Sequence, residues 1–149
     1  MSTLNVNELL MILINIPSES GDEAGIGQYL FDHLRSIGFE VNKRTVDGTR
    51  CNIFATVGTP RIILQAHMDV VPPHIQASED DQFIYGRGAC DTKGSIASML
   101  IASERAVSQK ISDFGLLFTV GEETDFAGVK QIQQEIEALN AFIVVGEPT

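Results

Sequence analysis

An α/β fold, built as a three-layer, largely parallel mixed sheet with helices on both faces, is what this 149-residue sequence predicts. Three observations carry the expectation. Short apolar runs of strand length alternate with longer runs of helical period, and the second half reads strand, helix, strand, helix, strand. Glycine and proline punctuate nearly every change of pattern. A strand–helix–strand repeat implies right-handed crossovers and parallel pairing.

The elements follow in order. Asn5 and Glu8 have the spacing of a capping box, and Val6, Leu9, Leu10 and Leu13 share one helical face until Pro17 ends the pattern. Ser20 and Glu23 repeat the capping signature ahead of Ile26, Tyr29, Leu30, Leu34 and Ile37, with Gly38 placed as the stop. His33 lies on that stripe and is expected to pack near the core. Three strand runs come next, at 39–46, 51–57 and 61–66, separated by Asp47-Gly48 and by Gly58-Thr59-Pro60. Residues 70–91 form a long irregular stretch with two prolines, an acidic patch at 79–81 and a Gly-Arg-Gly at 86–88; loops of that length are usually functional or mobile. From Lys93 a helical pattern places Ile96, Met99, Leu100, Ala106 and Val107 on a buried face. A strand at 115–120, a helix through Val129, Ile132, Ile136 and Leu139, and a strand at 141–145 complete the chain. There is no internal repeat and no low-complexity tract, so residues 1–149 read as one domain.

Composition narrows the function. A chain of this length with 44% hydrophobic residues supports a packed core. Twenty acidic against ten basic residues give a net charge of −10, and the basic residues are scattered, which argues against nucleic acid as a partner. The N-terminus lacks a basic segment followed by an apolar one, and no apolar run approaches the roughly 18 residues of a membrane span. Neither export nor membrane insertion is expected. Two cysteines, Cys51 and Cys90, are too few for a disulfide framework, so a reduced, cytoplasmic setting is the expectation.

The chemistry gathers just after the strands, where open α/β sheets form their ligand crevice. His67 follows the run ending at Ala66, Glu122 and Glu123 follow Val120, and Glu147 follows Val145. Asp91 opens the helix after the glycine-rich loop. A lone histidine at a strand end is more often a structural residue, and a lone Glu-Glu is usually solvated surface. Five such groups delivered by four segments tip the balance, because four carboxylates around one imidazole repel unless a cation neutralises them. Carboxylates with imidazole and no thiolate suit Zn²⁺, then Co²⁺ or Mn²⁺; an all-oxygen set would favour Mg²⁺ or Ca²⁺. Cys90 reads as a small buried side chain rather than a ligand.

Residues two apart in an extended segment face the same way, so Asp69 is expected to accept the second N–H of His67 and orient the ring. Gly121 relaxes the backbone so that both Glu122 and Glu123 can face the crevice, one as ligand and the other as general base. Competing motifs fail. Gly86 to Asp91 begins like a dinucleotide loop but ends in an aspartate, Lys93-Gly94 is the reverse of a P-loop, and neither His-Glu-x-x-His nor Gly-x-Ser-x-Gly is present.

Four motifs in order, HMDVVP (67–72), GRGACDTKGS (86–95), GEE (121–123) and VGEPT (145–149), give the chain a resemblance to the zinc-dependent amidohydrolases and peptidases that include acetylornithine deacetylase, succinyl-diaminopimelate desuccinylase and aminoacylase. The match spans nearly the whole chain. The resemblance implies that Asp91 bridges two zinc ions, that His67 and Glu147 complete one site, and that Glu123 binds the other ion. It further implies Glu122 as general base, Asp69 as the residue orienting His67, and a cis peptide at Asp91–Thr92.

The implied reaction is hydrolysis of an N-acyl amino acid by a metal-activated water, with N-acetylornithine the first substrate on the strength of GEPT. A desuccinylase, a dipeptidase or a carboxypeptidase of the same family is the alternative, and a non-catalytic metal-binding or interaction domain is the other class. Members of the family carry a smaller inserted α/β domain, used for dimer contacts, and then a final histidine for the second zinc. Neither His33 nor His74 lies where that ligand belongs. The chain is therefore expected to be the N-terminal part of a catalytic domain, inactive alone, cut from a homodimeric protein.

Overall fold

The computed structural model describes residues 4–148. Helix α1 (Val6–Asn15) starts at a capping box, with Asn5 Oδ1 accepting from the N–H of Asn7 and Glu8 at 2.9 and 3.0 Å, while Glu8 Oε2 accepts from Asn5 N–H at 2.8 Å. Asn5→Ala is expected to cost about 1 kcal/mol of stability, read as a shift in urea midpoint. Helix α2 (Ala24–Ser36) ends on Gly38, whose φ of +100° and N–H bond to Arg35 O close the helix as a glycine should.

The second capping box does not form. No side chain caps α2; Ser20 points instead at Asp69, and Glu23 is buried at 1% exposure. His33 packs as expected, its Nε2 3.1 Å from Glu104 of the next helix.

Strands β1 (Glu40–Asp47) and β2 (Arg50–Val57) form an antiparallel hairpin, and β3 (Ile62–His67) follows. The long stretch after β3 contains a small hairpin of β4 (Ser78–Glu79) and β5 (Ile84–Tyr85). Then come α3 (Lys93–Ser108), β6 (Phe114–Thr119), α4 (Ala127–Leu139) and β7 (Phe142–Val145).

The main sheet has the order β1-β2-β6-β3-β7. It is evenly mixed: β3 pairs parallel with β6 and β7, whereas β2 pairs antiparallel with β1 and β6. Because β2 runs against its neighbour, its first residues lie beside the end of β6, at the crevice edge.

Helices cover both faces. Leu9 and Leu13 of α1, Leu30 and Leu34 of α2, and Ile96 and Leu100 of α3 pack on Ile53, Ala66, Leu116 and Phe118. On the other face Ile132 and Ile136 of α4 pack on Phe54, Ile63 and Leu117. β7 is the outer strand, and all four of its apolar residues are exposed, Phe142 by 80%. Among the described residues no helix is long and apolar enough to cross a membrane.

Candidate metal centre

The parallel ladders bring the expected residues together. His67 is the last residue of β3, paired with Thr119 at the end of β6, so the turn after β6 begins beside the imidazole. Gly146, just past β7, donates to Gln65 O at 2.8 Å and thereby sets Glu147 on the other flank. Asp91 arrives from the loop before α3, held by Thr92 Oγ1, which donates to His67 O at 2.9 Å. The Asp91–Thr92 peptide is cis, as is Pro72–Pro73.

The imidazole is wholly buried and surrounded by acceptors. His67 Nε2 stands 3.0 Å from Asp91 Oδ1, 3.7 Å from Glu147 Oε1 and 3.9 Å from Glu122 Oε2. Ligand atoms of His67, Asp91 and Glu123 all lie within 4.8 Å of one another. The carboxylates of Asp91, Glu122 and Glu147 remain between a third and a half exposed, so the centre opens to solvent on their side.

Asp69 takes a different contact from the one expected. His67 Nδ1 bonds the main-chain oxygen of Asp69 at 2.9 Å, and the Asp69 carboxylate is 3.5 Å away. Either oxygen is an acceptor, so Nδ1 carries a proton, and Nε2 is the nitrogen that faces the carboxylates, where a cation would displace its proton and take the lone pair. The Asp69 carboxylate itself is consumed elsewhere: it accepts from Ser20 Oγ at 2.7 Å, Glu122 N–H at 3.0 Å and Glu123 N–H at 3.1 Å. It thus ties the His67 segment to the turn carrying both glutamates.

Electrostatics reflect the crowding. Burial disfavours the imidazolium of His67, yet Asp69, Glu147 and Asp91 outweigh it and raise the pKa to about 9. Burial, joined by neighbouring carboxylate charge that His67 partly offsets, pushes Glu123 and Glu147 above the usual carboxyl range. Asp69 is also buried, but the nearby His67 imidazole and its bonds to Ser20 and the two N–H groups overcome that and hold it at about 2. Acidic groups that bind their protons more tightly around a basic imidazole are groups that a cation would relieve.

Three residues went unread in the sequence. Ser20 looked like a helix cap. Lys93 is completely buried, donating its Nζ to Leu13 O and Ile16 O at 2.9 and 2.8 Å, and burial lowers its pKa to about 8. Asn52 is the third, taken up below. Cys90, read as buried, is exposed. A cleft of about 340 Å³ opens beside Asp91 and Glu123, walled by Val71, Ile84, Tyr85 and Arg87.

Residues 63–149 match peptidase family M20/M25/M40, and this stretch holds every residue of the centre. The chain belongs to that family. A probable carboxypeptidase of Emericella nidulans is 39% identical over 131 residues, 79% of this chain and 31% of that protein. A tripeptidase from Staphylococcus aureus superposes with a TM-score of 0.80 at 27% identity, covering 99% of this chain and 45% of that one. A dinuclear metal binding peptidase of the M20 family from Bacillus subtilis shares the fold, with a TM-score of 0.70 at 18% identity, covering 94% of this chain and 41% of that one. The M20 chain described here spans 31–40% of the length of the curated relatives it matches.

Proposed function

We propose that this M20 chain carries most of the metal centre of a hydrolase that cleaves the amide bond of a small peptide or N-acyl amino acid. The observation that carries the reading is the convergence of Asp91, Glu122 and Glu147 within 4 Å of one buried imidazole nitrogen, with Glu123 beside them. The donor set fits a divalent cation: Nε2 offers a lone pair in place of its proton, and the surrounding carboxylates offer charge. His67 and Glu147 would hold one ion, Glu123 a second, and Asp91 both; zinc suits one imidazole with carboxylates, and cobalt or manganese would substitute.

Such an ion supplies Lewis acidity to the amide carbonyl and to water. The protein supplies the rest. Glu122 is close enough to the centre to take a proton from the attacking water and far enough from His67 Nε2, at 3.9 Å, to stay free as a base. The same carboxyl returns the proton to the departing amine. His67 stays fixed because its other nitrogen is bonded to Asp69 O.

Peptidase action on a short peptide, as a carboxypeptidase or dipeptidase, is the favoured version, since relatives at more than 30% identity include probable carboxypeptidases and structural matches above 25% include a tripeptidase and an aminopeptidase. The cleft of about 340 Å³ is sized for one or two residues, not a folded protein. Deacetylation of N-acetylornithine is a narrower case of the same reaction, supported only by Gly146-Glu147-Pro148-Thr149.

Calorimetric zinc titration of the chain beside Asp91→Ala tests the centre. Saturable binding that disappears in the variant is expected, and equal weak binding by both would sink it. Full-length protein challenged with dipeptides and N-acetyl amino acids, with and without chelator, then selects the substrate class.

A further inference from the structure

The turn that carries Glu122 and Glu123 is built from the far side of the sheet. Asn52, wholly buried at the start of β2, holds both of its feet. Asn52 Oδ1 accepts from Val120 N–H at 3.2 Å, and its Nδ2 donates to Gly128 O at 2.7 Å and Gln131 Oε1 at 3.1 Å. Gly128 N–H in turn donates to Val120 O at 3.1 Å. The feet meet so closely that a Cβ on Gly128 would fall 2.5 Å from Asn52 Oδ1 and from Val120 O. Only a glycine fits there.

Arg50, two residues earlier on the same face of β2, lies against the turn itself. A Cβ on Gly121 would stand 3.4 Å from Arg50 Nη1. The guanidinium is fixed by a two-pronged pairing with Asp47 and by Glu23, whose Oε1 is 3.7 Å from Nη1. Inside the turn, Asp125 N–H and Phe126 N–H both donate to Gly121 O. Asp69 holds its crest through the two glutamate N–H groups. The turn is thus held at its crest by Asp69, at its foot by Asn52 of β2, and on the α4 side by Lys130, whose Nζ donates to Asp125 O at 2.7 Å.

We infer that Asn52 and Arg50 are positioning residues for Glu122 and Glu123: a buried amide and a guanidinium on β2 aim the general base and one metal ligand without touching either. The inference rests on the roles proposed for those glutamates. It explains why an antiparallel strand sits beside β6, since only that orientation brings the start of β2 to the crevice edge. Removing an outer partner of a metal site commonly lowers affinity or activity by 10–100-fold, and that range is expected here.

The test uses full-length protein loaded with zinc or with cobalt. Asn52→Asp keeps the shape and the acceptor for Val120 N–H but sets a carboxylate oxygen against Gly128 O, which opens the clip. Its kcat should fall by about 10-fold or more with KM little changed, and the visible absorption of the cobalt form should shift, because the ligand field reports where Glu123 points. A lower melting temperature with wild-type kcat and wild-type cobalt spectrum would reduce Asn52 to a structural residue and overturn the inference.

If Asn52→Asp does not fold, Arg50→Met and Arg50→Lys decide the matter by the same readouts. The methionine variant should lose activity and the lysine variant should recover part of it; indistinguishable variants overturn the proposal. Wild-type protein and Glu122→Gln run alongside. Activity lost in the latter but retained in both Asn52→Asp and Arg50→Met separates failure of the inference from failure of the proposed function, in which the wild type itself would be inert.

Discussion

Glu122→Gln is expected to lower kcat of the full-length protein by about 10²–10⁴-fold while leaving its metal content unchanged. Glutamine keeps the size of the side chain and can still fill its place, but it cannot take a proton from water. The main-chain N–H of residue 122 still bonds Asp69, so the turn keeps its anchor. About a third of the side chain is solvent-exposed, and the near-isosteric amide keeps the contacts of the rest. The matched variant Glu123→Gln should behave differently, losing bound metal first and activity as a result. Amine release from a peptide substrate and metal analysis of the dialysed proteins separate the two. A Glu122→Gln protein with full kcat would remove the general base from the mechanism.

Asp69→Ala should destabilise the chain by about 3 kcal/mol or more, because three donors lose their acceptor together: Ser20 Oγ, Glu122 N–H and Glu123 N–H. The residue is fully buried, so water does not replace the carboxylate without opening the structure. Its pH signature is specific. The carboxyl sits at about 2 in the folded chain, against roughly 3.9 when unfolded. Folded affinity for the proton is lower, so ionised Asp69 favours the fold; the contribution is complete above about pH 4 and drains as pH falls towards 2. Asp69→Asn should therefore lower the urea midpoint at pH 7 and flatten its decline between pH 4 and 2. An unaltered acid limb in the asparagine variant would show that other carboxyls govern acid unfolding.

Much of this was legible before any coordinates. The α1 capping box, the glycine stop of α2 and the alternation of strand and helix from residue 93 onward are local signals, and local signals survive in sequence. So does the position of His67, Glu122, Glu123 and Glu147 just after strands and of Asp91 at the head of α3, because the crevice rule needs only the element boundaries.

What failed to show was partner choice. The runs at 51–57 and 61–66 are neighbours in sequence, yet β6 inserts between them, and nothing in either run names its partner. Ser20 and Glu23 have the spacing of a cap, and the spacing is met equally well by a serine that reaches Asp69, 49 residues away. Asn52 reads as one polar residue in an apolar strand. Its function exists only once α4 has brought Gly128 against it.

The placement of His67 on a strand flanked by two parallel partners also dictates where this protein tolerates a change of length. Along β3, Leu64 and Ala66 face the cluster under α1, α2 and α3, while Gln65 and His67 share the opposite face with Ile63. Adding or deleting one residue between Ile62 and His67 would exchange the two sets, burying the imidazole among aliphatic side chains and turning an alanine or a methionine into the crevice. No rotamer change repairs such an exchange. The stretch from Val71 to Gly86 carries no ladder with the main sheet, and there insertions leave the ligand positions where they are. Length variation among descendants of this sequence should therefore gather in that stretch, and the six residues of β3 should keep their count even where their identities drift.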